Sequence, residues 1–330
     1  MRALRFARRR LGRPLEVNVR LPVHGVPYAQ RPELDGAFSE GARRYLVEVK
    51  AHALDGDAVA RQETRARDLG FDALVLIAPG FRQPARASST TALWAFEPDL
   101  EPLERAYARP LSIPSAVVRW WRPGGVHFRF TLARRGGATS ARRTLNQVDK
   151  GIRTREALRR EIARLAPRHV PAFVMWSPTR LLFPKDAFDR RRPKHVRERP
   201  LVFDVDGHAI HRAFFPCVLG DDGLCADCIG FARVHARRIV ACLSAHGLSP
   251  EVFFSGRSGF HVYAFARIED ERRAAILRDL TLARVIHDGV IAHTRVPIIN
   301  LPGSRHGGTG LELARVESLE RFRPSPAETA

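Results

Sequence analysis

The sequence predicts an α/β protein of two domains. Segments with the alternating apolar pattern of strands are interspersed with segments whose apolar residues recur at helical spacing, and 330 residues with 45% hydrophobic content can fill two cores. Near residue 100, the stretch AFEPDLEPLERAYARPLSIPSA has four prolines and little apolar periodicity. This break separates a domain of about residues 1–100 from one of about residues 101–330.

Apolar periodicity gives the order of elements in each domain. In the first domain, whose predicted order is αβββαβ, we expect a helix at 2–11, strands at 15–23, up to about 37 and at 44–51, a helix at 57–69 and a strand at 71–78. In the second, we expect a strand pair within 117–132, helices at 154–165, 228–245 and 269–286, and strands at 201–205, 252–254 and 260–265.

The charge of the chain indicates a polyanionic partner. Fifty-five Lys and Arg against 35 Asp and Glu leave a formal net charge of +20, which attracts nucleic acid. An Arg-rich composition is also typical of GC-rich genomes, so the charge alone does not establish this partner. No apolar run approaches the roughly 20 residues of a membrane span, and the first residues lack the apolar core of a secretory signal. We therefore expect a cytoplasmic protein with no membrane partner.

Three of the four cysteines indicate a metal site. Cys217, Cys225 and Cys228 fall within twelve residues, and four cysteines are too few for a disulfide scaffold in a chain of this length. Cys242 lies at apolar spacing in a predicted helix, so we expect it to be a core residue.

An Asp-x-Asp pair ends a predicted strand. In LVFDVDG, Asp204 and Asp206 alternate with apolar residues, so both side chains fall on one face of the strand. Two carboxylates this close repel each other and require a compensating cation, and oxygen ligands suit Mg²⁺ or Mn²⁺. Strand-end aspartates also cap loops or bind arginine, so the pair predicts a metal site only in combination with other residues.

A Gly-containing turn follows about fifty residues later. In FFSGRSGFHVYAF, Gly256 and Gly259 permit a tight path between two strands and expose backbone amides beside Ser255, Arg257 and His261. The segment is a candidate phosphate-binding loop. Taken alone, it also fits an ordinary hairpin with a half-buried histidine.

A third segment completes a pattern. In HDGVIAHTRVPIINLPGSRHGGTGL, Asp288 follows a predicted helix and precedes Ser304, Arg305 and His306. An aspartate pair on a strand, a Ser-Gly-x-x-Gly-x-His turn and an aspartate ahead of a Pro-Gly-Ser segment together resemble the catalytic small subunit of the archaeo-eukaryotic primase superfamily, over about residues 170–315. The resemblance implies a primase-type mixed sheet whose cleft collects the three aspartates.

The resemblance also implies a two-metal nucleotidyltransferase. Asp204, Asp206 and Asp288 would bind two Mg²⁺ or Mn²⁺ ions that activate a 3′-hydroxyl and stabilise the leaving pyrophosphate. The residues that would face the incoming nucleoside triphosphate are Ser255, Gly256, Arg257, His261, Ser304, Arg305 and His306. The implied activity is DNA primase or primase-polymerase synthesis on a single-stranded DNA template, which makes primers for DNA replication. A separate large primase subunit or a helicase is a candidate partner.

Two positions depart from the family pattern. Gly308 stands where the family's His-Gly-Lys segment has lysine, and Asn300 replaces a usual arginine. Each lost cation would weaken triphosphate binding by about 1–3 kcal/mol unless Arg305, Arg257 or Arg295 compensates. The departures admit an alternative function, a metal-dependent DNA nuclease whose primase-like half only binds nucleotide or DNA.

Members of this family carry a small zinc knuckle between the first two motifs. The resemblance therefore implies a structural zinc site, within about residues 208–228, for Cys217, Cys225 and Cys228. The family often has a histidine in the spacer after the first cysteine, and this sequence has none there. The candidates for the fourth ligand are His208, His211, Asp221 and Asp222, unless the site is degenerate.

The first domain carries a motif of its own. Asp35, followed by Glu48 and Lys50 at the end of a predicted strand, resembles the restriction-endonuclease-like nucleases over about residues 1–82. The resemblance implies that Asp35 and Glu48 hold a metal, that Lys50 orients or deprotonates the attacking water, and that Gln62 belongs to the same site. Glu48 and Lys50 also fit an ordinary solvent-facing strand end. An inactive DNA-holding domain, or an accessory protein with two inactive domains, is the remaining alternative.

Overall fold

The computed structural model describes residues 2–20, 33–50, 53–78, 81–82, 88–96, 107–108, 111–122, 126–134, 143–147, 152, 154–165, 169–182, 195–211, 215–220, 224–306 and 309–324. In chain order, the helices are α1 (Arg2–Leu11), α2 (Gly56–Asp68), α3 (Ser115–Trp121), α4 (Arg155–Leu165), α5 (Gly207–His211), α6 (Ala226–Ala245), α7 (Asp270–Leu282) and α8 (Gly289–His293). The strands are β1 (Leu15–Arg20), β2 (Glu33–Glu40), β3 (Arg43–Val49), β4 (Ala73–Ala78), β5 (Thr91–Ala95), β6 (His127–Arg134), β7 (Arg143–Gln147), β8 (His169–Ser177), β9 (Arg180–Leu181), β10 (Val196–Glu198), β11 (Leu201–Asp206), β12 (Cys217–Leu219), β13 (Glu251–Phe254), β14 (Gly259–Ala264) and β15 (Ile299–Asn300). Within these residues, no helix has the length and apolar character that crossing a membrane requires.

Two compact units divide the described chain. The first holds the described residues up to 96 together with His208–Cys228, and the second holds the remaining described residues. The sequence predicts residues 208–228 within the second domain. Their contacts group them with the first unit instead, because β12 pairs with β1 and so extends the first unit's sheet.

The first unit is built around a six-stranded mixed sheet with the order β12-β1-β2-β3-β4-β5. The first four strands pair antiparallel, and β3, β4 and β5 pair parallel. Alternate residues of β3 serve opposite faces: Val47 is buried in one cluster with Leu4 and Ala7 of α1, and Leu46 is buried in another with Val59 of α2. The order α1-β1-β2-β3-α2-β4 confirms the predicted αβββαβ arrangement.

The second unit contains two larger sheets, β15-β8-β6-β7 and β11-β14-β13, and the two-stranded pair β9-β10. Residues from both larger sheets share one apolar cluster, in which Phe128 and Trp176 of the first sheet are buried with Val202 and Tyr263 of the second. Together with the first unit, this arrangement confirms the α/β prediction.

The predicted strand pair within 117–132 is wrong in its first half. Residues 115–121 form α3, and the strand β6 begins only at His127. The β-branched and aromatic residues of SAVVRWW favour a strand by propensity. Burial of Val117, Trp120 and Trp121 at helical spacing stabilises a helix instead, since tertiary packing overrides a weak local preference.

The close pairing of β11 with β14 positions the strand that carries the aspartate pair. Asp206 lies opposite Gly259 and Asp204 lies opposite His261. A Cβ at position 259 would come within 2.0 Å of the backbone oxygen of Val205, so only glycine fits this approach.

Candidate active site and metal centre

Burial along β11 alternates where the two aspartates lie. The strand's apolar residues are buried, while Asp204 and Asp206 are part-exposed on the same face. This agrees with the predicted strand geometry. Whether the pair binds a metal stays a prediction.

Backbone hydrogen bonding brings Asp288 to Asp204. The N–H of Asp288 donates to the backbone oxygen of Asp204 at 2.7 Å. The Asp288 carboxylate oxygen Oδ1 accepts the N–H of Ile291 at 3.4 Å at the start of α8. The third carboxylate is therefore fixed beside the strand that carries the other two.

Burial and the neighbouring carboxylates change the acidity of Asp204. Burial, followed by the charges of Asp206 and Asp288, raises the pKa of Asp204 from its ordinary value to about 7. A divalent cation would favour the ionised form and remove this penalty. Among the described residues, these three side chains do not bring one oxygen each within 4.8 Å of one another. As they stand, the three carboxylates do not surround a single ion.

Ser258, which sequence analysis missed, orients Asp206. Its hydroxyl donates to Oδ1 of Asp206 at 2.9 Å, and its backbone oxygen accepts the N–H of Gly207. The pairing register could have revealed it, because the residue before Gly259 must lie beside Asp206 once β11 and β14 are paired.

His261 is buried against Asp204. Burial lowers the pKa of His261 to about 3, and the charge of Asp206 only partly opposes this. The imidazole is therefore neutral at physiological pH, and its Nε2 lies 3.6 Å from Oδ1 of Asp204, too far for a strong hydrogen bond. His261 therefore packs against the Asp204 carboxylate, and its expected place facing a triphosphate stays a prediction.

The turn between β13 and β14 packs on the segment that contains His306. Gly256 has a φ of +79°, and a Cβ there would lie 2.6 Å from Cβ of His306. Thr309, also missed from sequence, donates its hydroxyl to the backbone oxygen of Gly256. Ser255 closes the turn, since its hydroxyl accepts the N–H of Gly259 at 3.0 Å. The two predicted nucleotide-binding segments are thus neighbours.

Two arginines in these segments differ in their partners. In the described part of the chain, no hydrogen bond or ion pair engages the half-buried Arg257 side chain. Arg305 lies 3.4 Å from a carboxylate oxygen of Glu312, and its backbone N–H and oxygen contact the hydroxyl of Tyr107. Arg257 is therefore the more available cation.

Ser304 is fully buried. Its hydroxyl donates to the backbone oxygen of Leu301 at 2.6 Å. The side chain therefore shapes the loop rather than facing solvent. Gly308, where the family pattern has lysine, lies outside the described residues, and the substituted Asn300 ends β15.

Four buried side chains form a tight cluster in the first unit. The Nδ1 of His211 and the Sγ atoms of Cys217, Cys225 and Cys228 all lie within 4.8 Å of one another. His211 Nδ1 is 3.4 to 3.7 Å from the three sulfurs, and the Cys217 and Cys228 sulfurs are 3.3 Å apart. These separations approximate the edges of a tetrahedron around an ion with bonds of about 2.0–2.3 Å.

The elements of this cluster converge from three directions. Cys217 begins β12 opposite Val17 of β1, Cys228 lies in the first turn of α6, and His211 ends the short helix α5. Three thiolates this close require a compensating cation. The cluster fits a zinc site, and His211 is its histidine.

His208 is a neighbour of the cluster rather than a member of the tetrahedron. Its Nδ1 lies 3.2 Å from the sulfur of Cys217 and 4.0 Å from that of Cys228. The other two candidate ligands, Asp221 and Asp222, lie outside the described residues.

The motif of the first domain lies at the adjoining ends of β2 and β3. An oxygen of Asp35 accepts a backbone N–H from the end of β3 at 2.8 Å. Glu48 is only 3% exposed, and its carboxylate lies 2.6 Å from Lys50 Nζ and 3.3 Å from a guanidinium nitrogen of Arg65. The Oε1 of Gln62 is buried without a hydrogen-bond partner in the described structure. Two cations thus already neutralise Glu48, which is not a solvent-facing residue.

We predict that His211, and not His208, is the fourth zinc ligand. His211→Ala should weaken Zn²⁺ binding by more than about 100-fold, since even outer-shell partners of a ligand contribute 10–100-fold. His208→Ala removes a neighbour of the Cys217 sulfur and should weaken binding by about 10–100-fold, less than the ligand variant does. Competition with a chromophoric chelator measures both affinities. Stronger impairment of the His208 variant would contradict this ligand assignment.

We predict that Asp204 makes stability pH-dependent when Mg²⁺ and Mn²⁺ are not added. Its raised folded-state pKa means that protonation favours the folded state, so the contribution is present below about pH 4 and lost as the pH rises to about 7. The melting temperature of Asp204→Asn minus that of wild type should therefore increase as the pH rises from about 4 to about 7, and this difference should be constant at higher pH. A difference that is constant from about pH 4 to 8 would rule out the raised pKa.

Comparison with known proteins finds structural similarity that is distant. No protein-family model and no curated protein matches the sequence. Among solved structures, the chain is similar to the polymerase domain of ligase D from Mycobacterium tuberculosis in complex with DNA, at 14% identity and a TM-score of 0.42, over 67% of this chain and 83% of that chain. Values this low do not establish a family or a function.

Proposed function

We propose that this chain is a metal-dependent nucleotidyltransferase of the archaeo-eukaryotic primase type, which extends a 3′-hydroxyl on a single-stranded DNA template to make primers. The observation that carries the proposal is the convergence of Asp204, Asp206 and Asp288 at one end of β11. Burial and the charges of Asp206 and Asp288 disfavour ionised Asp204, and a divalent cation would remove this penalty.

The residues around the carboxylates fit two Mg²⁺ or Mn²⁺ ions, because all three donors are hard oxygen ligands. When bound, such ions supply charge stabilisation for an attacking hydroxyl and a leaving pyrophosphate. Ser258 holds the Asp206 carboxylate in one rotamer, and the Asp288 N–H fixes the third carboxylate relative to the strand. The buried His261 packs against the Asp204 carboxylate.

Two positively charged features would attract anionic substrates, the guanidinium of Arg257 and the net charge of the chain. The guanidinium of Arg257 is available to a triphosphate at the turn beside β14, where it replaces part of the charge of the missing lysine. The net charge of +20 favours a nucleic-acid template without selecting its sequence. No motif distinguishes ribonucleotides from deoxyribonucleotides.

The contacts of Glu48 weigh against the alternative nuclease function. A catalytic metal at Asp35 and Glu48 would have to compete with Lys50 and Arg65 for a buried carboxylate. The same contacts stabilise the end of β3, because a buried charge without partners costs several kcal/mol. We therefore propose a structural role for this set.

Primer extension tests the proposed activity. With Mg²⁺ or Mn²⁺, labelled primer and single-stranded template, wild type should incorporate nucleotides, and Asp204→Asn/Asp206→Asn should lose at least about 1000-fold, since residues that act as one catalytic unit show losses of this size. Glu271→Gln removes an exposed carboxylate of α7 and is the matched control, expected to keep wild-type activity.

The same reactions contain a nuclease readout. Glu48→Ala should leave nucleotide incorporation in place, and template and primer should remain uncut by wild type. If no nucleotide is incorporated and DNA is cut in a Glu48-dependent way, the proposed function fails and the alternative nuclease replaces it.

A further inference from the structure

A second cluster of metal-binding side chains lies in the second unit, between α6 and α7. Cys242 lies on α6, His246 follows one turn later, and Asp279 lies on α7. One ligand atom of each lies within 4.8 Å of the others. The Nε2 of His246 is 2.8 Å from a carboxylate oxygen of Asp279.

The backbone that carries these side chains is well packed. Leu243 on α6 and Ile276 and Leu280 on α7 are fully buried. The N–H of His246 donates to the backbone oxygen of Cys242 at 3.1 Å, and Gly247 with a φ of +66° ends the helix. The three donors are therefore held by rigid elements, which lowers the entropy lost when an ion orders them.

Cys242 is not the core residue that its spacing predicts. It is part-exposed, like His246, and Asp279 is exposed. An ion can therefore reach the three side chains from solvent. Its sulfur lies 4.0 Å from the backbone oxygen of Ile276 on α7 and within 4.8 Å of a His246 nitrogen and an Asp279 oxygen.

We propose that Cys242, His246 and Asp279 form a binding site for a borderline divalent cation of the Zn²⁺ class. A thiolate, an imidazole and a carboxylate are the donor types that such ions accept, and three protein ligands leave a fourth position for water. On binding, the Cys242 thiol releases one proton to solvent and its sulfur becomes a ligand. The ion would join the end of α6 to α7, ahead of the segment that leads to Asp288.

This site is separate from the cysteine cluster of the first unit. That cluster has three thiolates and four protein ligands, whereas the new site has one thiolate and three ligands. Closed four-ligand sites are typical of structural zinc, and sites with three protein ligands keep an exchangeable position. We therefore expect the new site to release its ion more readily during dialysis.

The test measures Zn²⁺ bound per chain in the full-length protein at equilibrium with a fixed, known concentration of free Zn²⁺, in the presence of excess Mg²⁺. Wild type should bind one more Zn²⁺ than Cys242→Ser and than Asp279→Asn. Ser244→Ala, on an exposed position of the same helix, is the matched control and should bind as wild type does. Equal stoichiometry in wild type and both ligand variants would overturn the proposal.

Cobalt substitution gives an independent readout that does not depend on total metal content. Titration of wild type with Co²⁺ should show a thiolate-to-cobalt charge-transfer band with a component that Cys242→Ser lacks, while the melting temperatures of the two metal-free proteins agree. A band that is unchanged in Cys242→Ser would show that the sulfur is not a ligand. The proposed metal site would then be no more than the His246–Asp279 ion pair.

Discussion

The clustering of three carboxylates, those of Asp204, Asp206 and Asp288, at one end of β11 is the constraint around which the second unit is arranged. Without a cation this arrangement is unfavourable, because desolvation and the two neighbouring charges disfavour ionised Asp204 and raise its pKa. The fold maintains it through interactions that involve no cation: the β11–β14 pairing allowed by Gly259, the Ser258 hydroxyl on Asp206, and the Asp288 N–H on the Asp204 backbone. Such preorganisation is expected of a site whose ligands must be in place before substrate arrives.

In the first unit, the corresponding feature is the cysteine cluster at the edge of the sheet. Its sheet is extended by β12, a strand of three residues that supplies Cys217 to the cysteine cluster. So short a strand contributes few hydrogen bonds, and the cluster joins it to His211 and to the start of α6. Zinc in this cluster would therefore stabilise the edge of the sheet, because metal binding that occurs only in the folded state adds to folding free energy.

Local patterns predicted much of this structure. Alternation in LVFDVDG placed two carboxylates on one strand face, and periodicity gave the αβββαβ order of the first unit. The helix at 115–121 was missed because its stability comes from burial of Trp120 and Trp121, which composition does not report. The roles of Ser258 and Thr309, the burial of Ser304 and the pairing of Glu48 with Arg65 depend on register and on contacts between distant segments. The sequence contains these residues but does not show which of them contact each other.

The most direct test of the central claim is Mn²⁺ binding, followed by electron paramagnetic resonance of the free ion near pH 8, where Asp204 is ionised. We predict that Asp288→Asn weakens Mn²⁺ binding by at least about tenfold, since one of three carboxylate ligands is lost, while Glu271→Gln binds as wild type does. Equal Mn²⁺ affinity in wild type and Asp288→Asn would show that the three aspartates do not form one metal-binding unit.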